Sequence, residues 1–144
     1  MECKASVSLI INNKSILLIK RQIRLGDPWS GHMALPGGHR LSNETCEEAA
    51  LREAYEEVGL KIKIIDFLGI YSPGNRKDLT VAAFIAKPLT LDIRIDEEVS
   101  ECFWASMNEL KEINNTYIIN KHVIFGMTYR ILKDFFMNKN HIYE

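Results

Sequence analysis

The segment from Thr45 to Gly59 constrains the fold more than any other part of the chain, because it carries helix signals at both ends. Thr45 and Glu48 form a capping box at its start, and Gly59 stands where a left-handed residue would end a helix. Placed at about 100° per residue, the apolar residues occupy most of the circumference. These residues are Ala50, Leu51, Ala54, Tyr55 and Val58. The pattern predicts a helix over residues 45–58 that packs on a sheet.

Three carboxylates share the remaining face of this predicted helix. Glu53, Glu56 and Glu57 fall within an arc of about 100°. Like charges at this spacing weaken an isolated helix by a few tenths of a kcal/mol per pair, and a bound cation would reverse the sign. The same triplet is typical of an ordinary solvated helix face, so the spacing alone leaves both interpretations open.

A wider pattern separates the two interpretations. Seven residue identities follow the fixed spacing G-x5-E-x7-R-E-x2-E-E-x-G. Its members are Gly38, Glu44, Arg52, Glu53, Glu56, Glu57 and Gly59. At average residue frequencies of about 6%, a random match in a chain of this size has a probability on the order of one in a million. This spacing is the Nudix box, and the chain therefore resembles the Nudix hydrolases.

The resemblance covers most of the chain. Pro36-Gly37-Gly38 is similar to the family's loop before the catalytic helix, and residues 98–110 are similar to its closing strand and short helix. It implies one domain over residues 1–144 of the α/β class, with a mixed β-sheet sandwiched between α-helices. It also implies an enzyme that hydrolyses the diphosphate linkage of a nucleoside diphosphate joined to another moiety. A non-catalytic nucleotide-binding or regulatory module is the alternative, although such modules usually lose box carboxylates and this chain keeps them.

The resemblance also implies a metal site. Glu53, Glu56, Glu57 and the backbone carbonyl of Gly38 would hold Mg²⁺, for which Mn²⁺ may substitute, because hard oxygen ligands suit these cations. Glu98 is a further candidate ligand.

Glu53, Glu57 and Arg52 are the expected catalytic residues. Arg52 would pair with neighbouring carboxylates and fix their rotamers. Glu53 is the first candidate for the general base, and Glu97 and Glu98 remain open for that role. Two box residues are expected to be structural only, Glu44 at the loop–helix junction and Gly59 at the helix end.

The long irregular segment between Arg21 and Gly38 is the expected substrate loop, because loops of this length are often functional. The candidate substrate-binding residues are Arg21, Arg24, Trp29 and Gly37. Arginine forks match phosphate oxygens, and Trp29 could stack on a base. A solvated surface role for either arginine is equally open.

Residues 21–38 and 124–132 resemble the coenzyme A diphosphatase branch of the family, so coenzyme A or an acyl derivative is the expected substrate. Two residues depart from that branch. Asp27 stands where a basic residue is expected, and Leu35 stands where an aromatic residue is expected. Nucleoside triphosphates and ADP-ribose are the alternatives within the same chemistry.

Apolar, β-favouring runs predict the other elements. Residues 5–11 and 15–20, separated by Asn12-Asn13-Lys14, predict a β-hairpin. Strands are predicted over 61–71, 79–86 and 102–105, and a short helix over 106–113. A last helix is predicted over 127–137, with an apolar face at Met127, Ile131, Leu132 and Phe135.

Composition limits the location and the partners. The formal net charge of −1 gives no sign of a nucleic-acid footprint. The chain opens without a signal-peptide pattern, and no apolar run approaches the roughly 20 residues that span a bilayer. No metal-ligand spacing occurs among the histidines or cysteines, which are His32, His39, His122, His141, Cys3, Cys46 and Cys102. The cysteines indicate free thiols in a reducing compartment. We expect a cytoplasmic protein that acts on a small-molecule diphosphate without nucleic acid or membrane, and a homodimer remains open.

Overall fold

In the computed structural model, which describes residues 1–139, ten β-strands and two α-helices follow one another along the chain. The strands are β1 (Ala5–Asn12), β2 (Ser15–Arg21), β3 (Met33–Ala34), β4 (Gly37–His39), β5 (Ile62–Tyr71), β6 (Val81–Pro88), β7 (Val99–Ser106), β8 (Lys111–Ile113), β9 (Thr116–Ile119) and β10 (His122–Ile124). Helix α1 (Cys46–Val58) lies between β4 and β5, and helix α2 (Gly126–Asn138) follows β10.

Strand β1 is the centre of a seven-stranded mixed sheet. It pairs in parallel with β6, and it pairs in antiparallel with β4 and, at its end, with β2. Strand β5 extends the sheet beyond β6, while β3 and β7 both pair with β2. The short strands β8, β9 and β10 form a second sheet.

The side chains of β1 alternate between the two faces of the large sheet, as in any strand. Leu9 packs with Ile131 of α2, whereas Ile10 packs with Ala54 and Val58 of α1, and all of these side chains are buried. The two helices therefore cover opposite faces, and the mixed sheet between helices that the sequence predicted is confirmed.

Helix α1 begins and ends where its capping signals predict. The Thr45 hydroxyl accepts a hydrogen bond of 3.0 Å from the Glu48 backbone N–H, and the Glu48 carboxylate accepts one of 2.8 Å from the Thr45 N–H. Gly59 adopts a left-handed φ of 76°, and its N–H donates to the carbonyl of Tyr55. The predicted hairpin of β1 and β2 and the predicted last helix are confirmed as well.

One flank of α1 differs from the prediction. Leu51 and Tyr55 were expected to face the sheet, but they are 40% and 48% exposed. The sheet is covered instead by the smaller residues Ala50, Ala54 and Val58, which allow the helix to approach closely. The apolar arc of the helix is therefore wider than the surface that the sheet covers.

The helix predicted over residues 106–113 is wrong. Only Met107–Glu109 form a 3₁₀ turn, and the chain continues as strand β8. Asn114 and Asn115 both have positive φ and turn the chain back into β9. Two consecutive residues with positive φ are the backbone of a tight hairpin, and asparagine tolerates that region better than most residues.

Cys3 and Cys46 form a disulfide, so the prediction of three free thiols is wrong; only Cys102 is free. Both half-cystines are buried with Ala50 and Phe84 in a small cluster under α1. They are 43 residues apart in sequence, and only the pairing of β1 with β4 ahead of α1 brings them together.

No helix within residues 1–139 is both long enough and apolar enough to cross a membrane. His141, one of the four histidines without metal-ligand spacing, lies outside the described residues.

Candidate active site

Arg52 holds three acidic side chains of α1 and of the loop before it. Its Nε and Nη2 atoms donate to the Glu44 carboxylate at 3.0 and 2.7 Å. Its Nη1 atom donates to Glu53 Oε1 at 2.9 Å and to Glu56 Oε1 at 3.0 Å. Hydrogen bonding from Arg52 lowers the pKa of Glu44. The five donors of one planar guanidinium thus fix the direction of three carboxylates at once.

Glu53 lies directly over Gly38. A Cβ atom on Gly38 would stand 1.8 Å from Glu53 Oε2, a distance that no two such atoms can share. Burial, together with the charges of Glu56 and Glu98, raises the pKa of Glu53. The glycine of the loop and the first carboxylate of the helix triplet are therefore in contact, and the contact requires glycine.

Glu57 does not lie on a solvated face, which was one of the two interpretations that the helix periodicity left open. It is only 2% exposed, and its Oε1 accepts a hydrogen bond of 2.9 Å from the Gly37 N–H. Burial raises the pKa of Glu57 to about 8, and the charges of Glu53 and Asp96 add to the effect. Strand β4, which precedes α1, covers this turn of the helix. Helix periodicity cannot predict such a contact between different segments.

The segment before β7 brings further acidic groups to the site. Glu98 is exposed and close enough to influence Glu53, and the Asp96 backbone N–H donates to the carbonyl of Glu57 at 3.0 Å. Sequence reasoning named Glu97 and Glu98 but missed Asp96. The available signal was the unbroken run Asp96-Glu97-Glu98, of which the first residue lies beside Glu57.

Arg21 interacts both with the loop expected to bind substrate and with the carboxylates. Its Nη2 atom forms an ion pair of 3.2 Å with Asp27, and its charge acts to lower the pKa of Glu57. Its Nε atom is buried and has no hydrogen-bond partner within the described residues. Arg21 therefore places its unpaired Nε donor close to the acidic group of Glu57.

The other three predicted substrate residues lie in different places. The Arg24 guanidinium donates to the backbone carbonyl of Glu97 at 2.9 Å, which fastens the loop to the acidic segment. Trp29 donates from its indole N–H to Asn75 at 3.1 Å and packs near the start of β6. Gly37 is at the centre, where a Cβ atom would stand 2.2 Å from the carbonyl oxygen of Ser6.

The described residues contain no group of three His, Cys, Asp or Glu side chains already arranged around a cation. The donor set nevertheless fits a hard divalent ion. Glu57 is a buried carboxylate. Among the described residues, its hydrogen-bond donor is the Gly37 N–H, which carries no charge. A cation beside Glu57 would therefore offset the free-energy cost of burying a charged carboxylate. The proposed ligand atoms of Glu53, Glu56, Glu57 and Gly38 are all oxygens, which Mg²⁺ and Mn²⁺ prefer.

Comparison with known proteins places this arrangement in a family. The sequence profile of the NUDIX domain matches residues 3–125. The chain is 33% identical over 108 residues to an ADP-ribose pyrophosphatase of Methanocaldococcus jannaschii, which covers 73% of this chain and 62% of that relative. It is 28% identical over 119 residues to human nucleoside diphosphate-linked moiety X motif 6, which covers 78% of this chain and 36% of that relative. The chain thus spans less than two thirds of the length of these relatives.

Solved structures have the same fold. A NUDIX hydrolase from Nitrosomonas europaea superposes with a TM-score of 0.72 at 26% identity, over 98% of this chain and 74% of that one. A MutT protein from Methanosarcina mazei superposes with a TM-score of 0.70 at 22% identity, over 95% of both chains.

Proposed function

Since this chain belongs to the Nudix hydrolase family, we propose that it is a Mg²⁺-dependent enzyme that cleaves the diphosphate linkage of a nucleoside diphosphate joined to another moiety. The observation that carries the proposal is the complete set of box carboxylates gathered around Arg52 and Gly38. A non-catalytic nucleotide-binding module would have no need to keep a buried acidic group such as Glu57 beside them.

The metal ligands would be Glu53, Glu56, Glu57 and the backbone carbonyl of Gly38, with Glu98 at the edge of the group. When bound, Mg²⁺ neutralises charge on the diphosphate and lowers the pKa of a water molecule. Mn²⁺ accepts the same oxygen ligands and would substitute. Arg52 contributes by keeping Glu53 and Glu56 in fixed directions.

Glu53 is the proposed general base. Its Oε1 atom is held by Arg52, so its Oε2 atom, which lies over Gly38, is left to accept a proton from water. Burial raises the pKa of Glu53 and so helps it to keep that proton. Glu53→Gln should lower kcat with little change in substrate affinity, and high pH should restore part of the rate. A flat pH response with weakened metal affinity would move the base to Glu97 or Glu98.

ADP-ribose, or another nucleoside diphosphate joined to a sugar, is the first candidate substrate. Arg21 is close enough to Glu57 for its charge to act to lower the pKa of that carboxyl, so its guanidinium could meet one phosphate of a diphosphate held beside the metal. The relative from Methanocaldococcus jannaschii, named as an ADP-ribose pyrophosphatase, supports the same class.

Coenzyme A is the second candidate, on the resemblance of residues 21–38 and 124–132 to that branch. Its 3′-phosphate needs a cation in addition to those that serve the diphosphate. Arg21 is paired with Asp27, and Arg24 is bound to the Glu97 carbonyl, so both arginines would have to leave existing partners. Coenzyme A therefore ranks below ADP-ribose, and nucleoside triphosphates remain the third candidate.

A substrate panel tests the order of these candidates. The purified protein with Mg²⁺ is given ADP-ribose, coenzyme A, dephospho-coenzyme A and nucleoside triphosphates, and products are identified by mass spectrometry. We expect kcat/KM for ADP-ribose to exceed the others by ~10-fold or more, which corresponds to about 1.4 kcal/mol. A kcat/KM for coenzyme A above that for ADP-ribose would reverse the order. Binding without turnover of any compound would favour the non-catalytic module.

Loss of a carboxylate tests the metal site. Glu56→Gln should reduce kcat by ~100-fold or more, because metal stabilisation is worth several kcal/mol. Glu47→Gln on the exposed side of the same helix is the matched control and should keep the wild-type rate. Removal of the metal with a chelator should abolish turnover in both variants. Full activity of the metal-free enzyme would contradict the metal proposal.

A further inference from the structure

Two large apolar side chains of α1 are left without cover. Leu51 and Tyr55 lie one turn apart on the flank of the helix opposite to Glu53 and Glu56. They belong to the apolar arc that predicts burial, yet no described residue buries them. Apolar residues grouped in this way are typical of an interaction surface rather than of scattered surface residues.

Strand β5 continues this surface. Its residues Ile64, Phe67 and Ile70 are paired with residues of β6 that face α1, so their side chains lie on the α1 side of the sheet. Phe67 and Ile70 are 39% and 45% exposed. Between the strand and the helix runs a groove of ≈ 300 Å³, lined by Leu51, Tyr55, Lys61 and Ile62.

We infer that Leu51 and Tyr55 of α1, together with Ile64 and Phe67 of β5, form a surface that binds a second copy of this chain. We call it the α1–β5 surface. The contact is isologous, which means that both copies use the same surface. Its twofold axis lies near Leu51, so the two α1 helices lie side by side and run in opposite directions.

The charges around this surface complement each other under that symmetry. Glu47, Leu51 and Tyr55 follow one line along α1, so Glu47 lies about 12 Å from the Tyr55 end, where Lys61 borders the groove. The twofold axis near Leu51 brings Glu47 of one copy next to Lys61 of the other copy. By symmetry this ion pair forms twice in the dimer. No ion pair joins Glu47 or Lys61 to any other side chain within residues 1–139.

The shape of β5 favours contact through side chains over a continuous sheet. The strand is the last of the large sheet, so no described strand pairs with its outer edge. Its register shifts twice, between Ile64 and Asp66 and between Phe67 and Gly69. Irregularities of this kind discourage strand addition at an edge. The carboxylates lie on the other flank of α1, so the contact leaves the candidate active site open.

Sedimentation equilibrium of the full chain tests the inference. The wild type should be a dimer, and Leu51→Glu should weaken the dimer by roughly 10-fold or more. The matched control is Ile113→Glu, which changes an exposed isoleucine of the second sheet and should leave the dimer intact. A wild type that stays monomeric over the whole concentration range overturns the inference, and so does an equal effect of the two variants.

Exchange of the charges at Glu47 and Lys61 tests the antiparallel orientation of the two α1 helices. Association of the two variants in a mixture also shows that neither variant is misfolded. Glu47→Lys and Lys61→Glu should each reduce dimerisation, because each homodimer would then bring like charges together twice. An equimolar mixture of the two variants should form a heterodimer, because both contacts then join opposite charges. Failure of the mixture to associate while each variant remains folded would overturn the antiparallel arrangement. Turnover per chain should stay at the wild-type value throughout, so the result is independent of the proposed hydrolase activity.

Discussion

Gly38 and Glu53 are a pair of residues with little room for change in the candidate active site. Glu53 Oε2 occupies the space into which a side chain at position 38 would project. The carboxylate is also tied to Arg52 through its other oxygen, so it has little freedom to move aside. A methyl group at position 38 would therefore displace the proposed base and ligand from its position.

Gly38→Ala should lower kcat by ~100-fold, which is the typical effect of a catalytic group misplaced by about 1 Å. The matched control is Gly74→Ala, because a Cβ atom there would meet nothing within 4 Å. Steady-state kinetics with Mg²⁺ compares the two variants with the wild type. Equal activity of both variants would show that the contact between Glu53 and Gly38 has no part in turnover.

Burial of Glu57 should make the stability of the metal-free protein depend on pH. Its pKa rises from an ordinary 4.5 to about 8, so the folded protein holds a proton that the unfolded chain has released. The resulting stabilisation is complete below about pH 4.5 and is lost as the pH rises through about 8. We expect the Tm in chelator to fall between about pH 4.5 and 8 and to recover with Mg²⁺. Glu57→Gln should remove this part of the decline, whereas the exposed-site variant Glu47→Gln should keep it.

At the scale of elements, two sets of hydrogen bonds fix the start of α1, in addition to the Cys3–Cys46 disulfide. The Thr45 and Glu48 side chains satisfy two backbone N–H groups, and the Cys46 carbonyl accepts a hydrogen bond of 2.7 Å from the Ser6 hydroxyl of β1. Three of the predicted ligands lie on this helix, so its position on the sheet sets the position of the site.

Thr45→Ala should lower the free energy of unfolding by ~1 kcal/mol, the usual cost of a lost N-cap. Ser42→Ala, three residues earlier at an exposed position, is the control and should change stability little. Urea titrations of the two variants and the wild type give the difference. Equal midpoints for Thr45→Ala and the wild type would mean that the cap does not limit stability.

The elements that could be predicted from the sequence are those with local signals. The bounds of α1 follow from Thr45, Glu48 and Gly59, and the large strands follow from apolar runs. The short hairpins after residue 110 were missed because three-residue strands carry little periodicity. In the site, the clustering of carboxylates was predictable from spacing, but the burial of Glu57 and the place of Asp96 depend on contacts between distant segments.

At the scale of the whole molecule, the Cys3–Cys46 disulfide joins the segment just before β1 to the start of α1. Replacement of both cysteines by serine should lower the free energy of unfolding by ~2–4 kcal/mol, as expected for a closed loop of this length. A reductant should lower the Tm of the wild type to that of the double variant and leave the double variant unchanged. Cys102→Ser is the control and should still respond to the reductant. A wild type that does not respond would show that the disulfide does not form.

The disulfide also makes residues 3–46 a closed ring of covalent bonds, and the exposed loop that carries Ile23 and Leu25 is part of that ring. Trypsin that cuts after Arg24 would open the ring without releasing either piece. The nicked molecule should migrate as one chain on a non-reducing gel and as two fragments once the sulfurs are reduced. In the nicked molecule, the bond between the two sulfur atoms would hold the two pieces of the chain together in place of the cut peptide bond.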